Sequence, residues 1–435
     1  MLGGKLINEG ILPYRDYFSH HMPLPYYLAA VINKISGPNP LNFRYVYLIF
    51  LYGWLLLFHK NLRTFTTPKL SLLFVILITL VNPVIWSHML FAETLIGYAS
   101  IHLSLLFLKI HKERQKPKIG DIFQISLIGC IPVLSSLGFW GLSAFYYLFF
   151  LIYYLRYLFN SSRRGYINIF RFISIYCLSV ALPFCIMALF FIGTHSLNDF
   201  YLYNFIFNQE YYSIYTNDIP INNTQIFIDI FKGIFNSFAI DVQQLFQQPY
   251  TLHRLSFRIF TYSYIGLCFI TKKKAEGIFF LISYFFLNVR QGDINIVNNI
   301  HEIQTMLFSI LTIILFLGLF KTPVKLEGMF IHLRKYLFSL NVTLLVLLVG
   351  FLFGFDRDVL AKYRDDIMPT VVQEETELNK VLNSSGASSV WIGPSKFDEF
   401  FFLKPKVASK YYYWYPWLNS CSTCRIELVQ DLEKK

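Results

Sequence analysis

Four ionisable side chains crowd seven positions near the N-terminus: Arg15, Asp16, His20 and His21, within Pro13-Tyr14-Arg15-Asp16-Tyr17-Phe18-Ser19-His20-His21-Met22-Pro23-Leu24-Pro25-Tyr26-Tyr27. A carboxylate such as Asp16 can deprotonate an acceptor, support an oxocarbenium-like transition state or bind a metal. Its structural alternative is an ion pair with Arg15 or a cap on a loop amide. A guanidinium offers phosphate a planar fork, and His20 and His21 offer a phosphate contact or a divalent-metal ligand. If the segment is helical, adjacent imidazoles diverge by about 100°, so one site would use one of them. No Cys/His cluster has zinc-finger spacing.

Further candidates lie along the chain. Glu93 sits in Phe91-Ala92-Glu93-Thr94-Leu95, a nearly charge-free stretch, and a carboxylate there is costly unless solvated or paired. Arg44 stands at the head of an apolar run, where it either grips phosphate or snorkels. Arg290 and His301 bracket a loop at 289–303 and are candidates for holding phosphate from the far side of a cavity. Tyr26, Tyr27, Tyr211 and Tyr212 are candidate sugar or lipid contacts among many aromatics that belong to lipid-facing surfaces.

Composition decides what positions these groups. The 435 residues are 55% hydrophobic and 15% charged, against about a quarter charged in soluble chains; the mean hydropathy is +0.47. Residues 122–155, 172–198 and 336–355 contain no Asp, Glu, Lys or Arg, and such runs are long enough for the roughly 30 Å hydrocarbon core. The expected architecture is an all-α polytopic membrane protein. Ten spans are expected, near 42–58, 70–88, 93–109, 121–137, 139–156, 172–194, 256–271, 275–288, 304–320 and 336–354, with Ser135-Ser136-Leu137-Gly138 turning a hairpin.

Lys and Arg gather in alternate loops: Lys60, Arg63 and Lys69; Lys109 to Lys118; Arg156 to Arg171; Lys272 to Lys274; Lys321 to Lys335. That asymmetry places those loops in the cytoplasm. The segment 1–41, the loop 195–255 and the tail 355–435 then face outward. The net charge of +12 is on this reading a topology signal, with no support for a nucleic-acid partner.

The opening segment resembles the first extracytoplasmic loop of the GT-C glycosyltransferases, specifically the bacterial branch holding aminoarabinose transferases and protein O-mannosyltransferases. Gly4, Pro13-Tyr14-Arg15-Asp16, His20-His21-Met22-Pro23-Leu24 and Tyr26-Tyr27 carry the likeness. Arg44, Glu93 and Asn208-Gln209-Glu210-Tyr211-Tyr212 fit it. His21-Met22-Pro23 departs from the family's Lys-Pro-Pro, and the family's acidic pair would precede Leu2-Gly3-Gly4. The resemblance therefore implies a helix upstream of Met1.

It also implies an extracytoplasmic site in a multi-pass inner (plasma) membrane protein, a polyprenyl-phosphate-linked sugar donor and inversion at the anomeric carbon. Asp16 and Glu93 would be catalytic. Arg15, His21, Arg44, Arg290 and His301 would hold the donor phosphate, and Tyr26, Tyr27, Tyr211 and Tyr212 sugar or lipid. His20 is the candidate ligand for a divalent metal ion, the one cofactor considered. The domains are a first-loop segment with amphipathic helices (1–41), a GT-C-like transmembrane domain (42–354) and a small extracytoplasmic α/β domain (355–435). The last has a helix near 357–383, a short buried strand plus turn over Ser389–Pro394 and a permitted Cys421–Cys424 disulfide. The competing class, a flippase for a polyprenyl-linked glycan, predicts internal repeats, and none is seen. Cys130, Cys177, Cys185 and Cys268 are expected to be packing residues.

Overall fold

Long apolar runs without interior polar breaks leave the backbone one way to satisfy its own hydrogen bonds, and the chain takes it: nearly every element is a helix. The computed structural model describes residues 2–84 except 38, then 87, 89–113, 118–160, 166–212, 252–288, 303–319, scattered positions in 336–346, 376–391, 403, 406–411 and 416–433. The described residues divide between two compact units. One holds residues up to Leu48, from Cys185 onward to the 212 region, and the C-terminal tail; the other holds the remainder.

In the first unit, α1 (Leu2–Asn8) lies against α2 (Leu24–Ser36). Glycine makes that approach achievable. A Cβ on Gly4 would stand 2.4 Å from the carbonyl carbon of Ala29, and one on Gly3 2.6 Å from the Tyr26 ring. Asn8 Nδ2 donates to the Ala30 carbonyl at 2.9 Å. Pro23 precedes α2 and Pro25 occupies its first turn, where a missing N–H costs nothing. Gly37, at φ 71°, ends it.

Leu2, Leu6 and Tyr17 form a buried cluster with Leu403, joined by Ile11, Leu382 and Val390. The C-terminal tail therefore completes the core of the opening segment. Within that tail, α14 (Glu377–Ser384) is capped by Thr376, whose hydroxyl accepts from the Asn379 N–H at 3.1 Å. β1 (Ser389–Val390) pairs in parallel with β2 (Lys406–Val407). The Cys421–Cys424 disulfide opens α15 (Ser422–Glu433). Of the helix expected near 357–383, residues 357–375 lie outside the described residues.

In the second unit, α5 (Ala92–Glu113) is buried on nearly every side. It packs against α13 (Ile303–Leu319), which also meets α4 (Pro68–Val84) and α11 (Leu252–Ile270). α12 (Lys274–Leu287) packs on α11 and on α8 (Trp140–Asn160). Buried hydroxyls bind helix to helix: Thr261 meets Ser309 at 2.9 Å and Thr312 at 3.0 Å, and Thr305 donates to the Leu287 carbonyl at 3.2 Å. Such bonds hold apolar bundles together where hydrophobic burial gives little preference.

The stretch expected as one span over 121–137 is an apolar helical segment, Ile119–Ser135, interrupted at Cys130 between α6 (Ile119–Gly129) and α7 (Ile131–Ser135). Pro132, in the first turn of α7, has no N–H with which to continue the α6 ladder. Ser136, extended at φ −154°, turns the chain into α8, at the hairpin position expected.

Among the described residues, four segments are long and apolar enough to cross a membrane: α3 (Pro40–Leu62), α5, Leu137–Phe159 and Ile169–Gly193 of α9 (Tyr166–Gly193). The last has a hydropathy of 2.5 yet is only 11% buried. An apolar surface of that extent is at home in lipid rather than water, so the chain is a helical membrane protein. Cys177 and Cys185 lie exposed on α9, whereas Cys130 and Cys268 are buried; only the latter two are internal packing residues.

Candidate active site

The opening motif folds into a closed turn. Pro13 and Tyr17 form a β-bridge, Tyr14 N–H donates to the Tyr17 carbonyl at 2.8 Å and Asp16 N–H to that of Leu12 at 3.0 Å. Tyr14 sits at φ 72°, an uncommon conformation for a large side chain. Its ring is fully buried, edge-on to Phe191 and Phe200, and its hydroxyl donates to the His21 carbonyl at 2.7 Å. These contacts hold the strained residue in place. With Pro13, Tyr14 and Tyr17 inside, Arg15 and Asp16 are left at the exposed tip.

There the two form a bidentate pair, Nε to Oδ1 at 2.9 Å and Nη2 to Oδ2 at 2.7 Å. Leu12 N–H donates to Asp16 Oδ2 at 2.8 Å, and Arg15 reaches the Thr194 carbonyl at 3.2 Å. Partial burial would raise the Asp16 pKa, but the Arg15 hydrogen bonds, the Leu12 amide and the Arg15 charge outweigh it and the pKa falls. Asp16 is thus held ionised and braced.

The chain from Phe18 to Pro23 is not helical, so the expected divergence of the two imidazoles does not apply. Their ring centroids lie 4.0 Å apart. His20 is buried and stacks on Phe18 at 6.0 Å, with Asn208 Nδ2 donating to its carbonyl at 3.1 Å. His21 is exposed. Among the described residues, no group of three His, Cys, Asp or Glu is placed to hold a metal ion.

Tyr26 is engaged in packing: its hydroxyl accepts from Ser19 Oγ at 2.8 Å and its ring meets Tyr17 at 6.2 Å. Tyr27 stands edge-on to Phe190 at 5.2 Å, and the half-buried Tyr211 lies 5.2 Å from Phe207. Arg44, in the first turns of α3, is half-buried. Glu93 is buried in the first turn of α5, in the second unit, where a carboxylate meets the positive end of the helix dipole. Arg290 and His301, and the side chain of Tyr212, lie outside the described residues.

Sequence reasoning passed over three charged groups. Asp199, in the short helix α10 (Leu197–Tyr201), belongs to the same unit as Asp16. Burial raises its pKa, Lys410 partly offsets this and the Asp16 charge raises it further. The pKa values of the two carboxyls are thus displaced in opposite directions. The available signal was an acid within a few residues of the end of the apolar 172–194 run.

Lys410 is the second. Its ammonium donates to the Tyr203 hydroxyl at 2.9 Å and pairs with Glu427 at 2.9 Å, while its carbonyl accepts from Phe18 N–H at 2.9 Å. Phe18 packs edge-on to Tyr203 and Phe207 and tilted on Tyr411. Only the fold brings residues so distant in sequence together. The third is Arg258, buried near the start of α11, which a reading for apolar span length absorbs. Comparison with family models, curated proteins and solved structures gives no match for this chain.

Proposed function

We propose that this protein is a GT-C-like membrane glycosyltransferase that moves a sugar from a polyprenyl-phosphate donor to an acceptor at the outer membrane face, with inversion. The observation that carries the reading is the Pro13–Tyr17 turn, which spends its apolar residues on the core and presents Arg15 and Asp16 at its tip. Asp16 stabilises developing positive charge on the sugar, and Asp199, which binds its proton more readily, takes the acceptor's proton. Arg15 and His21 hold the departing phosphate. Glu93, buried in the first turn of α5, is the third acid assigned to the reaction. About ten spans, outward-facing 1–41, 195–255 and 355–435 segments and an inner-membrane location complete the reading.

The test is transfer of labelled sugar from a polyprenyl-phosphate donor by the purified protein in lipid nanodiscs, with and without a divalent cation. Wild type transfers label, and Glu93→Gln and Asp199→Asn each lose most of it while keeping the wild-type melting temperature within a few degrees. Full transfer by both variants would remove these residues from the site. Accumulation of intact donor across sealed vesicles, with no transfer, would favour the flippase.

A further inference from the structure

At the end of the second unit opposite to Glu93 lies a cavity of about 300 Å³. It is lined by the C-terminal turns of α5 and α13, the start of α12 and the α3–α4 loop. Its lining mixes charged and apolar side chains. His111, Lys112, Lys273 and Glu276 share the lining with apolar residues that include Leu315 and Leu319.

The acid is already compensated: Glu276, buried, lies 3.5 Å from Lys273 Nζ and 3.9 Å from His111 Nε2. Lys112 is held by one donor on the Thr64 carbonyl at 2.6 Å, beside the Phe65 ring. An ammonium has three donors, so both lysines keep N–H groups for a ligand. With Glu276 matched by Lys273, Lys112 supplies an excess positive charge.

We propose that this cavity binds the phosphate headgroup of an anionic phospholipid. The volume suits a headgroup and not a whole lipid, and the leucines that share the lining with the lysines fit the start of acyl chains. On the orientation given by the loop charges, the cavity opens at the cytoplasmic leaflet, where anionic lipid collects beside basic residues. A soluble phosphate shares the anionic chemistry but has no use for the leucine wall.

The experiment is lipid binding to the full chain in detergent by native mass spectrometry and thermal shift. The probes are phosphatidylglycerol, phosphatidylcholine and inorganic phosphate. Phosphatidylglycerol is expected to bind and raise the melting temperature. Lys112→Gln and Lys273→Gln should each weaken binding about fivefold, and Leu319→Trp, which fills the cavity while keeping both charges, should weaken it too. Lys118→Gln, at the same end but outside the cavity and paired with Glu113, should bind as wild type does and serves as the folding and charge control. Equal binding of phosphatidylcholine, or undiminished binding by the Lys112→Gln/Lys273→Gln double variant, overturns the proposal. A response to inorganic phosphate alone, lost in the double variant, keeps the anion site and overturns the lipid.

Discussion

Replacing Asp16 with asparagine separates a catalytic carboxylate from a structural one, because the two roles predict effects of different size. The carboxylate accepts from Leu12 N–H at 2.8 Å and from Arg15 at 2.9 and 2.7 Å. Asparagine keeps the shape and one carbonyl oxygen, enough for the Leu12 amide, and loses the ion pair. Both partners are about a third exposed, so the pair contributes about 0–1 kcal/mol. Adding one weakened hydrogen bond brings the total to about 1–2 kcal/mol. For a unit of this size the melting temperature should fall by about 2–8 °C.

Because the folded pKa lies below the ordinary 3.8, this stability is present above that value and is lost as pH falls through the lower folded pKa. Wild type and variant should therefore converge in acid. Loss of a carboxylate acting at the reacting sugar costs about 10²–10⁴-fold in rate, far more than the folding loss explains. The assay pairs melting curves from pH 2.5 to 7 with sugar transfer at pH 7, and Arg15→Gln serves as the companion variant. If Asp16→Asn loses stability but transfers at the wild-type rate, Asp16 is only a brace and the catalytic argument fails. If the melting temperatures agree at every pH, the ion-pair argument fails as well.

Asp199→Asn should act oppositely on stability. A carboxyl with a raised folded pKa contributes stability below 3.8 that is lost as pH rises through the folded value, so the variant should match or exceed wild type at pH 7 and lose that advantage in acid melts. Gly4→Ala would force a Cβ to 2.4 Å from the Ala29 carbonyl carbon; a loss of about 1–3 kcal/mol is expected, seen as faster proteolysis of the N-terminal segment. Thr261→Val removes a hydroxyl bonded to both Ser309 and Thr312 and should cost about 0.6–2 kcal/mol in unfolding from bilayers, whereas Thr79→Val, whose hydroxyl donates only within its own helix, should cost less. Reducing Cys421–Cys424, a short loop, should lower the stability of the C-terminal segment by about 2 kcal/mol, measured by hydrogen exchange of α15 with and without reductant.

Helical class and the position of most apolar helices were readable because hydrophobic runs bounded by basic loops obey a one-dimensional rule. The expected 42–58 and 93–109 runs lie within α3 and α5, and all but the last residue of the 304–320 run lies within α13. The interruption at Cys130, ahead of Pro132, was not read, because span length carried the decision while proline chemistry acts on one turn. The clustering of Arg15, Asp16, His20 and His21 was plain in sequence, but their division of labour was not.

That division follows from packing. Burying Pro13, Tyr14 and Tyr17 turns Arg15 and Asp16 outward, and a non-helical backbone brings the two imidazole rings together. Asp199 and Lys410 stand hundreds of residues from the opening motif, or nearly so, and no spacing rule connects them. What composition and charge order dictate is a helical membrane protein with a reactive-looking opening segment, since lipid selects on local hydropathy alone. Which carboxyl binds its proton more tightly is a tertiary matter, because burial and neighbouring charge are properties of the folded chain.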